Sequence, residues 1–270
     1  MTTYLDHILV AHRETASLDG RLLEGLLDSA SSGEPPRGFI QALAGGTSDE
    51  IAVIAEVKRR SPSRGDLDIG LDPAIVAGQY ATGGAACLSV LTDESFFGGS
   101  AGDLRAARLA VDLPVLRKDF TVDARDVCDA RIMGADAVLL IVAALDDQEM
   151  ADFYALSTEL GMDTLVEVHD ESELERALAI GASLVGVNQR DLVTFEVDPG
   201  RATRMAPLIP EGVVRVAESG IKDKATAVAL KQAGYHALLV GESLVTAGDR
   251  AAAVRALCQS VGDRTAGDPD

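Results

Sequence analysis

The stretch Ile51-Ala52-Val53-Ile54-Ala55-Glu56-Val57-Lys58-Arg59-Arg60-Ser61-Pro62-Ser63-Arg64-Gly65 decides how the rest of the chain is read. Its first half is a continuous apolar, partly β-branched run bounded by charge. That is the pattern of a strand buried on both faces, not of one alternating between core and water. Glu56 and Lys58 are two apart, so on extended backbone their side chains point to the same side. If that side faces a barrel mouth, an acid and an amine meet in a poorly hydrated place and each favours the other's charged form. The bland alternative is a solvated ion pair at a strand end. Pro62 and Gly65 then stop regular structure, and Ser61 and Ser63 bring hydroxyls to the loop.

The chain has 270 residues, 47% of them hydrophobic and 25% charged, enough for a sizeable core. Its length is near the roughly 250 residues of a single (β/α)₈ barrel. The start, Met1-Thr2-Thr3-Tyr4-Leu5-Asp6, lacks a basic region followed by an apolar one, and no apolar run reaches about 18 residues. A cytoplasmic location is therefore expected. Cys87, Cys128 and Cys258 are odd in number and widely spaced, which supports neither a disulfide framework nor a zinc site. The net charge of -19 repels phosphate backbones and anionic membranes, so neither nucleic acid nor membrane is an expected partner. An anionic ligand must find a local positive patch. Only five lysines are present, at 58, 118, 222, 224 and 231, and the first two fall at expected strand ends.

Residues 1–45 carry leucines and isoleucines at helical spacing, interrupted by Ser31-Ser32-Gly33-Glu34-Pro35-Pro36, and read as a helical extension packed on the main domain. Beyond it, short apolar runs alternate with helical segments. Strands are expected near 51–57, 86–91, 114–118, 136–142, 164–168, 184–188, 213–217 and 237–240. The helices between them are expected near 72–82, 102–111, 123–133, 147–160, 171–180, 199–206, 222–233 and 249–260. Eight strand-helix units in succession predict an α/β fold, a (β/α)₈ TIM barrel over 46–262, followed by a polar, disordered tail over 263–270. An open doubly wound sheet is the alternative, but no GxGxxG follows the first strand.

Active sites of such barrels lie at the carboxyl ends of the strands. Read there in order, the chain offers Glu56, Lys58 and Ser61, then Leu91 and Phe97, then Lys118 and Phe120, then Glu167. The later strands add Asn188 with Arg190, Glu218-Ser219-Gly220 and Gly241-Glu242-Ser243. Scattered surface charges would not return at one phase of a repeat, so the ion-pair alternative for Glu56 and Lys58 gives way. His169 follows Glu167 and could carry a proton, but His169-Asp170-Glu171-Ser172 reads first as a helix start.

The runs Ile54-Ala55-Glu56-Val57-Lys58-Arg59-Arg60-Ser61-Pro62-Ser63, Val115-Leu116-Arg117-Lys118-Asp119-Phe120 and Leu165-Val166-Glu167-Val168-His169 resemble the indole-3-glycerol phosphate synthase family. So do Gly186-Val187-Asn188-Gln189-Arg190-Asp191-Leu192, Val216-Ala217-Glu218-Ser219-Gly220-Ile221 and Leu239-Val240-Gly241-Glu242-Ser243-Leu244. The resemblance implies a (β/α)₈ barrel and closure of the indole ring from 1-(2-carboxyphenylamino)-1-deoxy-D-ribulose 5-phosphate, with loss of carbon dioxide and water, in tryptophan biosynthesis. It implies no metal and no organic cofactor. It implies Lys118 as general acid of ring closure, and Lys58 with Glu56 or Glu167 as the acid and base of dehydration, with Asn188 and Ser219 completing the catalytic set. Ser61, Phe120, Arg190, Glu218, Gly220, Gly241 and Glu242 are implied to bind substrate, the phosphate resting on backbone at 219–220 and 241–243. Because Glu242 has the wrong sign for phosphate, its backbone is expected to serve and not its carboxylate. The first 45 residues match the family only loosely. A monofunctional monomer is expected; a Schiff-base aldolase using Lys118 and a non-catalytic binding barrel are the competing possibilities.

Overall fold

The computed structural model describes residues 3–44 and 50–258. The expected boundary at residue 45 and the expected disordered tail over 263–270 lie outside the described residues. Eight parallel strands close into a barrel: β1 (Ala52–Val57), β2 (Cys87–Leu91), β3 (Val115–Lys118), β4 (Ala137–Ile141), β5 (Asp163–Val168), β6 (Leu184–Asn188), β7 (Val214–Glu218) and β8 (Ala237–Val240). β8 returns to β1, where Ala52 pairs with Ala237 and Ala55 with Val240. Every strand lies within one residue of its expected span, because a strand covered by helices outside and side chains inside must be apolar throughout. β4 shows this plainly: Ala137 to Ile141 are all buried.

A helix follows each strand, and besides the short helix capped by Asp93, five begin on an aspartate. Asp72, Asp123, Asp146, Asp170 and Asp223 each accept backbone N–H groups of the first turn. Such a cap is worth about 1 kcal/mol and places negative charge at the positive end of the helix dipole. Part of the chain's acidity is therefore spent on starting helices.

The first loop departs from expectation. Regular structure does not stop at Pro62; Arg60–Ser61 pairs antiparallel with Gly65–Asp66 across a tight turn. Gly65 makes this possible by taking φ +70, a conformation that side chains penalise.

Three helices precede the barrel: α1 (Tyr4–Leu18), α2 (Leu23–Ser31) and α3 (Phe39–Ala44). They run from one end of the barrel to the other. α1 is held at the carboxyl rim by His12, whose Nε2 lies 2.9 Å from Asp93 Oδ2, and by Arg13, whose Nη1 donates to Glu149 at 2.7 Å. α2 packs along the helix Ala124–Met133. α3 reaches the amino end, where buried Phe39 and Leu43 join the core and the Ile40 N–H donates to Asp163 at 2.9 Å.

Candidate active site

Strand pleating sends Glu56 and Lys58, Lys118, Glu167, Asn188 and Glu218 into one cavity of about 1300 Å³ at the carboxyl end of the barrel. Ser61, Phe120, Arg190, Ser219, Gly220, Gly241 and Glu242 line the same space, as do Leu91 and Phe97. All thirteen sequence-predicted site residues therefore meet.

The charges form two linked groups. In the first, Lys58 Nζ hydrogen-bonds Glu56 Oε1 across one side of the strand. In the second, Lys118 Nζ donates to Glu167 Oε2 at 2.9 Å and lies 3.7 Å from Glu218 Oε2. Asn188 Nδ2 donates to Glu167 Oε1 at 2.9 Å, while Asn188 Oδ1 accepts the Arg190 N–H at 3.0 Å, so the amide is fixed at both ends. Burial alone would force the Lys118 ammonium to shed its proton; the carboxylates of Glu167, Glu218 and Glu56 outweigh that and hold it charged above the usual lysine range. Glu167 experiences the converse. Burial works against its charge, but Lys118, His169 and Asn188 keep it ionised below the usual carboxylate range. Glu218 is different: burial, then the neighbouring charge of Glu167, push it up to about 8. Two carboxylates this close cannot both ionise cheaply, which favours the protonated form of Glu218.

Two glycines make the room. On β6, Gly186 pairs with Glu167, and a Cβ at Gly186 would collide with Glu218 Oε1. Similarly, a Cβ at Gly241 would collide with Glu56 Oε1 and stand 3.0 Å from Lys58 Nζ.

The far wall is made by the last two loops. Ser219 at φ 65 and Gly220 at φ 73 are consecutive left-handed residues, and the Ser219 carbonyl accepts from Gln189 Nε2 at 2.9 Å. A non-glycine residue held there stores strain of order 1 kcal/mol, which functional loops commonly retain. Glu242 turns its carboxylate to Arg64, with Nη2 to Oε1 at 2.6 Å, so its charge is spent outside the cavity's anion-facing wall. Arg190 Nη1 donates to the Phe195 carbonyl at 3.0 Å and braces the loop after β6.

Sequence reasoning gives no site role to Arg64 or α1, and places the helix-start reading of His169 ahead of a chemical one. Arg64 nevertheless holds the Glu242 carboxylate. α1 was set aside, yet its Tyr4 ring packs edge-on at 6.0 Å from Phe96 and 5.2 Å from Phe195, and His12 lies 5.4 Å from the Phe120 ring. His169, assigned to a helix start, indeed directly precedes the N-cap Asp170, but its Nε2 also stands 3.4 Å from Glu167 Oε1. The spacing rule that singled out Glu56 and Lys58 favours the chemical reading here too, since Glu167 and His169 are likewise two apart.

Among the described residues, His12, Asp93 and Asp119 are grouped with ligand-like spacing. Their oxygens are already engaged: Asp93 Oδ1 caps the helix Glu94–Phe97, and Asp119 accepts from Thr92, Arg117 and the Phe120 N–H.

A family model for indole-3-glycerol phosphate synthase matches residues 7–257. The indole-3-glycerol phosphate synthase of Nocardioides sp. is 51% identical over 247 residues, covering 91% of this chain and 92% of the relative. That of Chlorobium luteolum is 47% identical over 246 residues, covering 90% and 94%. The N-acetylmannosamine-6-phosphate 2-epimerase from Clostridium perfringens is similar in fold alone, with a TM-score of 0.59 at 12% identity over 78% of this chain and 93% of that one. With two buried lysine–carboxylate groups converging on one barrel mouth and near-full-length relatives at about half identity, the chain belongs to the indole-3-glycerol phosphate synthase family.

Proposed function

We propose a division of labour within the site for the family's reaction, the ring closure, decarboxylation and dehydration that yield indole-3-glycerol phosphate. Lys118 is the general acid of ring closure: as the aromatic carbon attacks the ribulose carbonyl, its ammonium gives a proton to the developing alkoxide. Attack leaves the anilino nitrogen electron-poor, and the ionised Glu167 stabilises that cation until carbon dioxide departs and the ring regains aromaticity. Lys58 then protonates the departing hydroxyl, and Glu56 takes the proton from the neighbouring carbon to complete the indole. The observation that separates the two glutamates is their hydrogen bonding. Glu167 has both oxygens engaged, by Asn188 and by Lys118, and is held ionised, which makes it a poor base. Glu56 has Lys58 as its side-chain partner, and proton transfer between them resets both.

Backbone at Ser219-Gly220 and Gly241-Glu242-Ser243 is proposed to seat the phosphate, with Ser61 on the opposite loop, and Leu91, Phe97 and Phe120 to wall the aromatic ring. Orientation matters because the flexible substrate must be held with its ring carbon over its carbonyl. A monomeric state is part of the proposal. A cytoplasmic location and no nucleic-acid partner agree with the charge of -19; no helix among the described residues is long and apolar enough to cross a membrane.

The decisive assay mixes the protein, with a chelator present, with the carboxyphenylamino-deoxyribulose phosphate and follows indole fluorescence. In E56Q, ring closure and carbon dioxide release should persist while indole formation stalls; a fluorescent product formed at wild-type rate by E56Q would overturn the assignment of the base.

A further inference from the structure

His169 is a buried titratable group that the reaction scheme leaves unused. Its ring is held from behind by Glu173, on the helix Glu171–Ala179: Glu173 Oε2 accepts the His169 backbone N–H at 2.7 Å and lies 3.0 Å from ring Nδ1. This fixes the tautomer, because an Nδ1 facing a carboxylate oxygen carries hydrogen. The opposite nitrogen, Nε2, is buried, lacks a hydrogen-bond partner among the described residues and stands 3.4 Å from Glu167 Oε1. An imidazole between two carboxylates must hold both protons to satisfy both contacts.

We propose that His169, braced by Glu173, is a positioning residue: as an imidazolium it fixes the ionised Glu167 and, through Glu167, the ammonium of Lys118. The chain of contacts runs Glu173, His169, Glu167, Lys118, so a helix outside the barrel aligns an acid inside it. Asn188 occupies the same Glu167 oxygen from β6, which fixes the carboxylate in two directions. The charged groups facing the ring are Glu167 on the strand just before it, Glu173 from the following helix and the adjacent Asp170, all acidic. Their sum favours the imidazolium over the desolvation that opposes it.

The inference rests on the assignment of Glu167 as a working carboxylate, and the variants separate the two. H169A, H169Q, H169N and E173Q are compared with E167Q for kcat, KM, the pH dependence of kcat and thermal midpoint. A glutamine amide reaches the place of Nε2, whereas an asparagine amide reaches only the place of Nδ1. Positioning predicts that H169A lowers kcat about 10-fold, the size outer contacts of this kind commonly carry, with KM within about twofold. H169Q should recover most of that loss and H169N little, and the acid limb of the kcat profile should move to higher pH in H169A as Glu167 loses its cation. E173Q should show the same change in smaller degree. Equal losses in H169Q and H169N that track their thermal midpoints, or wild-type kcat and an unmoved acid limb in H169A, would overturn the inference. If E167Q is inactive while H169A is unimpaired, only the role of His169 fails; near-wild-type turnover in E167Q would instead remove Glu167 from the chemistry.

Discussion

The two ends of the barrel each bury a carboxylate among cations, and they do so in opposite ways. At the amino end Asp136 is fully buried, and its carboxylate accepts from the Arg37 N–H at 2.7 Å, from the Val115 N–H at 2.8 Å and from Arg108. Both of its oxygens are satisfied, and the residues that satisfy them join the N-terminal segment to β3 and the helix Ala101–Ala110. At the carboxyl end Glu218 is 2% exposed, yet its Oε1 lacks a hydrogen-bond partner among the described residues, and Glu167 crowds it with like charge. A saturated buried charge holds a fold together. An under-satisfied buried acid leaves an oxygen open to a further donor.

The sharpest way to test that contrast is to remove the cation at the carboxyl end. K118M should lower turnover by ~10²-fold or more, since general acid assistance commonly contributes ~10²–10⁴-fold, while circular dichroism still reports a folded barrel. Wild-type turnover in K118M would abolish the distinction drawn for that end. The mirror experiment is D136N at the amino end. Breaking this saturated set should cost about 3 kcal/mol in urea unfolding and leave kcat per folded molecule unchanged, because the site is at the other end. A D136N protein of normal stability and poor turnover would reverse the roles of the two ends.

A subtler outcome is expected of E218Q. Replacing a crowded acid by a neutral isostere should raise stability by about 2 kcal/mol at pH 8 while lowering activity, the exchange expected of a site that stores unfavourable burial. A destabilised E218Q would show Glu218 to be a structural residue like Asp136.

The smallest effect is one of pH. His169 is raised to about 9 by its two carboxylates, against burial, from an unfolded value near 6.5. Between those values the native state binds the extra proton, so the contribution of His169 is fully present below pH 6.5 and is lost as pH rises through 9. Denaturant unfolding at pH 6.5 and pH 9.5 should therefore show wild type losing on the order of 1 kcal/mol more than H169Q across that interval. Parallel loss in both would place the proton elsewhere, for instance on Glu218.

Much of the carboxyl end was legible before any coordinates, because a barrel converts strand order into spatial convergence. Each candidate side chain on a strand needs only to sit near the end of an apolar run to be assigned to the rim, and Glu56, Lys118, Glu167, Asn188 and Glu218 all do. Loop residues were legible in identity but not in direction: Glu242 was placed at the phosphate wall, yet only its contact with Arg64 shows where its charge goes. The amino end was nearly silent. Asp136 reads as one aspartate among many, and its partners Arg37 and Arg108 are 99 and 28 residues away.

The sequence by itself determined the eight-fold alternation, the strand boundaries to within a residue, and the set of acids and amines that share one mouth. Those features repeat with the period of the backbone, so local pattern is sufficient to place them. Only the tertiary structure decided that α1 lies across the rim and α3 across the opposite end, that Gly186 and Gly241 leave room for buried carboxylates, and that His169 stands between two of them. Each of these depends on which distant atoms come within a few ångströms, and the energy of a buried charge is set by those neighbours and not by its place in the chain.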